Sequence, residues 1–317
     1  MQKEFKTLRN KRVLVLGGTG FIGSNLVNNL IQLKSQVSVV SRTGNIDVPS
    51  VSHYRADITS LNQIDKVLKK KYDIIFHCAG QSDRIRYIKE GWQDRRSDLE
   101  GTLNVFNSIR RNHLRTKIIL LGSRLEYGKA KYLPVDEKHP VNPKEGYAIE
   151  KLASVLNALS YSNLFNIPCV ILRISNVYGP HPLFQYRNYN LVNYFIDKAK
   201  KGDDLIVYGS GNQIRDYIYI DDLTNALLLS AIKINKKGEI YNVGSGRPIK
   251  FIDFITLIAK KAGVRVVHKK WPKYNLFLES GDYFTNIRKI TSHINWTPKI
   301  SYSEGIDLCF SHSSDNV

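Results

Sequence analysis

Tyr147 and Lys151, in the stretch YAIEK, are the residues of this chain whose types and spacing first suggest chemistry. Residues i and i+4 of a helix share a face, so phenol and ammonium would stand together. A free phenol loses its proton near pH 10, too high for a proton shuttle at neutral pH. A fixed cation beside it favours the phenolate and lowers that value. The pair could therefore serve as a general acid and base for an alcohol or a carbonyl. The same spacing is common on ordinary amphipathic helices, so the rest of the chain has to decide.

The stretch LVLGGTGFIGSNL carries Gly17, Gly20 and Gly23 between an apolar β-type run, KRVLVLGG, and a helical pattern, GFIGSNLVNNLIQLK. Glycines at these places let the backbone turn, approach a pyrophosphate and pack helix on strand, and the helix N-terminus attracts the anion. In that strand–turn–helix setting the motif implies a dinucleotide. The end of the next strand, QVSVVSR, selects which one. An acid there bonds the free ribose 2′-hydroxyl of NAD, whereas an arginine suits the 2′-phosphate of NADP. This chain has Ser41-Arg42 and no carboxylate before Asp47. Arg42 is placed for charge-assisted bonds to a phosphate, so NADP is expected, with NAD as the alternative.

The pattern repeats along the chain: DKVLKKKY then DIIFHCAG, GTLNVFNSIRRN then TKIILLGS, and the YAIEK helix before PCVILRISNVYG. Near-continuous apolar strands alternating with helices imply an α/β fold, a Rossmann-type doubly wound parallel sheet covered on both faces. After Gly179 the character changes to PHPLFQYRNYN, loop-like and aromatic-rich. The expected division is a dinucleotide-binding domain over 1–180, with 215–247 returning to it. Residues 181–214 and 248–317 would then form a smaller C-terminal substrate-binding lobe.

The 317 residues, 42% hydrophobic, are enough for one large domain or two lobes. No stretch reads as a membrane span, and MQKEFKTLRN lacks the apolar region of a signal peptide. Three widely spaced cysteines, Cys78, Cys169 and Cys309, indicate neither a disulfide framework nor a metal site. A reducing cytoplasm fits. The net charge of +19 raises the question of nucleic acid. Its lysines fall in short clusters (KVLKKKY, KAKKG, KINKKG) that close apparent helices, where the helix dipole favours them. A basic stripe with interleaved aromatics is missing. A solvated basic surface is the better reading, and it would also attract phosphate-bearing substrates.

The order of GGTGFIG, ADI around Asp57, HCAG at 77–80, GSRLEYG at 122–128, YAIEK, LRISNVYGP, RDYIYIDD, YNVGSG and NWTPKISYSEGI resembles the extended short-chain dehydrogenase/reductases that epimerise, dehydrate or reduce nucleotide sugars. The resemblance runs from about Arg12 to about Ile306. It implies a triad of Ser123, Tyr147 and Lys151. Ser123 would bond the reacting oxygen, Tyr147 would exchange its proton, and Lys151 would lower the phenol pKa and hold the nicotinamide ribose. It places Phe21, Ile22, Asp57, Ile58 and Ala79 with the glycines around the cofactor, Asp57 at the adenine amino group. Asn176 and Arg215 would hold the nucleotide-sugar diphosphate, with Tyr178 and Arg247 lining the same site. Asn176 could instead be a strand-end turn residue, and Arg215 could pair with Asp216. Relatives often dimerise through the YxxxK helix and the one before it, here about residues 145–165 and 93–112.

Two departures stand out. The relatives' NxxGT pattern becomes DLEGT, with Asp98 in place of an asparagine that braces the backbone. The 4,6-dehydratases carry Asp-Glu directly after the Ser/Thr, whereas this chain has Arg124-Leu125, with Glu126 one position late and, by strand alternation, facing the wrong side. Dehydration is therefore disfavoured. An NADPH-dependent 4-keto-sugar-nucleotide reductase, making a deoxysugar nucleotide for surface polysaccharide, is favoured on Arg42. A 4-epimerase with tightly bound NAD is the alternative, and a non-catalytic nucleotide-binding protein a further one.

Overall fold

The computed structural model describes residues 4–43, 48–80, 96–181 and 190–312. In chain order the strands of the main sheet are β1 Arg12–Leu16, β2 Gln36–Ser41, β3 Val51–Arg55, β4 Ile74–His77, β5 Lys117–Ser123, β6 Cys169–Ile174 and a returning strand, Glu239–Val243. Their spatial order places the returning strand beside β6, then β5, β4, β1, β2 and β3, giving a seven-stranded sheet. All of its pairings are parallel.

Side chains alternate across a strand, and the core divides accordingly. Val13 and Val15 of β1 pack into one cluster with Phe76, Ile119 and Leu121. Leu14 and Leu16 pack into the other with Ile75, Ile118 and Leu120. Helix α1 Phe21–Gln32 covers the first face through Leu26, Val27 and Leu30. The second face is covered by α2 Leu61–Leu68, α3 Arg96–Arg111 and α4 Gly146–Phe165, the last through Val155 and Ala158. Because both faces are covered, the strands are apolar nearly throughout. The YAIEK helix thus lies against the sheet with its first turn at the carboxyl end of β5.

Beyond β6 the chain builds short pairings. Asn176–Tyr178 runs parallel to Tyr217–Tyr219, Ile214–Arg215 pairs antiparallel with Ile249–Lys250, and Leu205–Tyr208 runs parallel to Val266–Lys269. Of the stretch 215–247, the segment Glu239–Val243 joins the main sheet, whereas most of RDYIYIDDLTNALLLSAI forms a helix, Ile220–Lys233. A buried apolar run does not reveal its own period, and so strand and helix are hard to tell apart there. Strand β3, VSHYR, escapes sequence reading because it is a half-exposed edge with few apolar residues. Most of PHPLFQYRNYN, together with Asp47 and residues 93–95 of the expected dimer helix, lies outside the described residues.

Gly17 adopts φ +78°, a left-handed turn that glycine enters at little cost. A Cβ on Gly23 would lie 2.2 Å from the Gly17 carbonyl oxygen, so only a hydrogen there lets α1 sit this close to the loop. Gly23→Ala should lower unfolding stability by about 1–3 kcal/mol in denaturant titration, through overpacking. An unchanged midpoint would contradict this close approach.

Candidate active site

The glycine loop forms a cradle at the carboxyl edge of β1. Gly20 is the N-cap of α1 and provides no side-chain cap, so the first-turn amides rely on other acceptors. A Cβ at Gly17 would meet the backbone of Ala79 at 2.8 Å, so the end of β4 lies directly against the loop. This open helix N-terminus, lined by backbone instead of side chains, fits a dinucleotide pyrophosphate. Phe21 is buried and Ile22 partly so, while Ile58 is buried against Gly101. Asp57 opens a turn in which its carboxylate accepts from the Thr59 amide and hydroxyl.

At the end of β2 the Ser41 hydroxyl lies 2.6 Å from His53 Nε2. Arg42 is exposed, and its carbonyl accepts from Arg55 Nε at 3.3 Å. Arg55, the residue in register with Ser41 on β3, is a second cation at this corner that sequence reading did not single out.

Ser123, Tyr147 and Lys151 converge at the carboxyl end of β5. Ser123 ends the strand and caps the 3₁₀ turn Arg124–Tyr127, its hydroxyl accepting from the Leu125 amide at 3.2 Å. The Tyr147 phenol is near enough to this hydroxyl for Ser123 to favour its phenolate. Lys151 is buried, with Nζ 2.7 Å from Asp98 Oδ1 and 3.4 Å from the Leu121 carbonyl. Burial pushes the phenol pKa of Tyr147 above its ordinary value. Lys151 pulls it down, and Asp98 opposes that pull. The lowering expected from the Tyr–Lys spacing is therefore outweighed in this arrangement.

Glu126 stands in the 3₁₀ turn and not on the strand, so strand alternation does not govern it. It is fully buried, pairs with Arg173 Nε at 2.6 Å and accepts the Ser123 amide at 2.7 Å. It braces Ser123 from below.

Arg124, seen in the sequence only as the replacement of an acid, is a central residue. It is buried, donates from Nε to Asn176 Oδ1 at 3.0 Å and from Nη1 to Ser280 Oγ at 3.2 Å, and lies over the Tyr283 ring. Asn176 is not a turn residue. It begins a strand and donates to the Asp216 carbonyl. Arg215 pairs with Glu279 and not with Asp216, and donates to the carbonyls of Ile214 and Gly281. Asp216 is instead taken by the amides of Ser245, Gly246 and Thr285. Tyr178 does not line the site. It is fully buried among Tyr219 and Phe254. Arg247 is exposed and donates to the carbonyls of Pro298 and Ile300.

The profile of the family described as NAD dependent epimerase/dehydratase matches residues 13–244. The chain belongs to the NAD-dependent epimerase/dehydratase family. It is thus an extended short-chain dehydrogenase/reductase, as the order of its motifs implies. A Methanocaldococcus jannaschii protein named "Putative UDP-glucose 4-epimerase" is 31% identical over 304 residues, covering 93% of this chain and 95% of that protein. The UDP-glucose 4-epimerase of Thermus thermophilus, solved in complex with NAD, is 26% identical with a TM-score of 0.86, covering 96% of this chain and 100% of that one. The Thermotoga maritima UDP-glucose 4-epimerase, solved with UDP-glucose, is 25% identical with a TM-score of 0.86, covering 95% and 97%. NAD is therefore the cofactor that the family and its solved members support. No helix among the described residues is long and apolar enough to cross a membrane.

As a member of this family the chain should depend on Tyr147 for proton transfer. Tyr147→Phe should cost about 10²–10⁴ in kcat while leaving dinucleotide affinity nearly intact by calorimetry. Wild-type turnover in that variant would remove Tyr147 from the chemistry.

Proposed function

We propose that the protein is a nucleotide-sugar 4-epimerase that retains its nicotinamide dinucleotide. The observation that carries this reading is the setting of Ser123. The next two residues are Arg124 and Leu125, not the acid pair of the dehydratases, and Glu126 is locked to Arg173. One phenol is left to move one proton on and off, which suffices for a ketone–alcohol interconversion and falls short of water loss. Epimerases with whole-length similarity to this chain point the same way.

In this reading Ser123 bonds the sugar C4 hydroxyl and Tyr147 takes its proton as the alcohol becomes a ketone. Lys151 stabilises the phenolate and would hold the nicotinamide ribose. The cofactor, when bound, supplies reversible hydride acceptance at C4. Tyr147 returns the proton after the sugar has turned its other face. Arg124 and Arg215 form the cationic ledge for the diphosphate, a role suited to planar guanidinium groups, with the Asn176 amide beside them; Glu279 would yield Arg215 to it, and Arg247 stands further out. Residues 1–180 with the returning strand would hold the cofactor, and 181–214 with 248–317 the sugar nucleotide.

A second reading, the NADPH-dependent 4-ketoreductase, draws support from one place. Arg42 and Arg55 meet at the end of β2, where a 2′-phosphate would lie. Denaturing the purified protein distinguishes the two. The epimerase reading expects about one NAD per chain in the supernatant and turnover of a UDP-hexose without added nicotinamide. A cofactor-free protein that binds NADPH at least about tenfold more tightly than NADH, a preference of about 1.4 kcal/mol, and loses that preference in Arg42→Ala would put the reductase first.

The proposed assembly is a homodimer through α3 and α4. Ile149, Leu156, Leu164 and Phe165 lie exposed on α4, and a partner would cover them. Light scattering at micromolar concentration should give twice the chain mass. A monomer mass would contradict this interface.

A further inference from the structure

We propose that Asp98 is a positioning residue of the active site. By pairing with Lys151 it absorbs part of the positive field that would otherwise reach Tyr147, and so sets the pH at which the phenol releases its proton. This inference rests on the acid–base role given to Tyr147 above and deepens it.

The geometry is specific. Asp98 Oδ1 lies 2.7 Å from Lys151 Nζ, and the two side chains are 5% and 11% exposed. Asp98 stands in the first turn of α3, where the helix dipole favours a negative charge. Its backbone carbonyl accepts from Thr102 Oγ1 at 2.6 Å, which ties the residue to its own helix. Gly80 makes room for the pair: a Cβ there would sit 2.3 Å from Asp98 Oδ1 and 2.9 Å from Lys151 Nζ. The backbone at the end of β4 therefore passes directly over the ion pair, on the way from the glycine loop to Tyr147.

The consequence for Tyr147 follows from charge. A lone ammonium beside a phenol stabilises the phenolate, but an ammonium already neutralised by a carboxylate does so far less. Lys151 is held protonated chiefly by Asp98, against the opposing effect of burial. Among the described residues, the other titratable groups facing it are Tyr147 on its own helix, Glu126 on the 3₁₀ turn, and His77 and Cys78 at the end of β4. Glu126 is occupied by Arg173. Burial, with the Lys151 charge, pushes His77 down to about 3, and burial pushes the Cys78 thiol up to about 12, so both stay neutral at pH 7. Among the described residues, Asp98 is thus the anion that balances Lys151. An asparagine, which the family pattern places here, would fill the same space without the charge.

The test is a titration of Tyr147 in the holoenzyme, read as phenolate absorbance in the near ultraviolet. Subtracting the Tyr147→Phe spectrum isolates this tyrosine from the rest, and the same subtraction is made in an Asp98→Asn background. The midpoint should fall by about one pH unit or more on removing the carboxylate. An unchanged or raised midpoint would overturn the proposal. In the alcohol-oxidising direction, the acidic limb of the pH–kcat profile should move down by the same amount. A residue that merely supports the fold would lower kcat without moving that limb. If Asp98→Asn does not fold, Asp98→Ser takes its place in the same subtraction: a lowered midpoint supports the proposal, and an unchanged or raised one overturns it. If Tyr147→Phe retains full turnover, the reading of Tyr147 as acid and base falls, while the absorbance shift still decides whether Asp98 sets its proton.

Discussion

Lys151 brings a positive charge into a place from which water is nearly excluded, and much of the active edge is arranged around the cost of doing so. Burying an ion costs several kcal/mol even after the protein relaxes, and a partner repays it only with good geometry. Asp98 provides that partner at 2.7 Å. The pair ties α3 to α4, because Asp98 stands on α3, and it requires a residue without a side chain at position 80. It also ties α4 to β5, because the Leu121 carbonyl is another acceptor near Nζ. Three elements are thereby held to one another through a single ammonium, and Tyr147 rides on one of them.

A second buried pair does the same for the serine. Glu126 and Arg173 join the 3₁₀ turn to β6, and the Glu126 carboxylate also receives the Ser123 amide. Breaking a buried pair leaves a stranded charge, which is far costlier than losing the pair as a whole. Ser123 and Tyr147 are therefore set by separate ionic braces. Such preorganisation suits a reaction in which one proton must leave and return along the same path. Arg215 is likewise held by Glu279, from a segment that belongs to no motif.

The features legible in the sequence are those whose constraint is local. The glycines of GGTGFIG are needed for a turn and a close approach only a few residues long, and the Tyr147–Lys151 spacing is a property of one helix turn. The alternation of apolar runs revealed the parallel sheet for the same reason. Arg215 and Glu279 stand 64 residues apart with no shared pattern, and no spacing rule could have joined them. Asp98 was visible as a departure from NxxGT, but its partner on another helix was not. Strand alternation misplaces Glu126, because the chain has already turned into a 3₁₀ helix there. Tyr178 followed a motif into the core, where aromatic packing, not ligand contact, uses it.

The central claim is that Tyr147 works on a sugar alcohol that is oxidised and re-reduced at the same carbon within one site. The most direct measurement supplies a UDP-hexose carrying deuterium at C4 and follows the product by mass spectrometry and proton NMR, with no nicotinamide added. The account predicts the C4 epimer with its deuterium retained at C4, because the transferred hydride returns to the carbon it left. Failure to form the epimer, or an epimer whose C4 label has been lost, would contradict it.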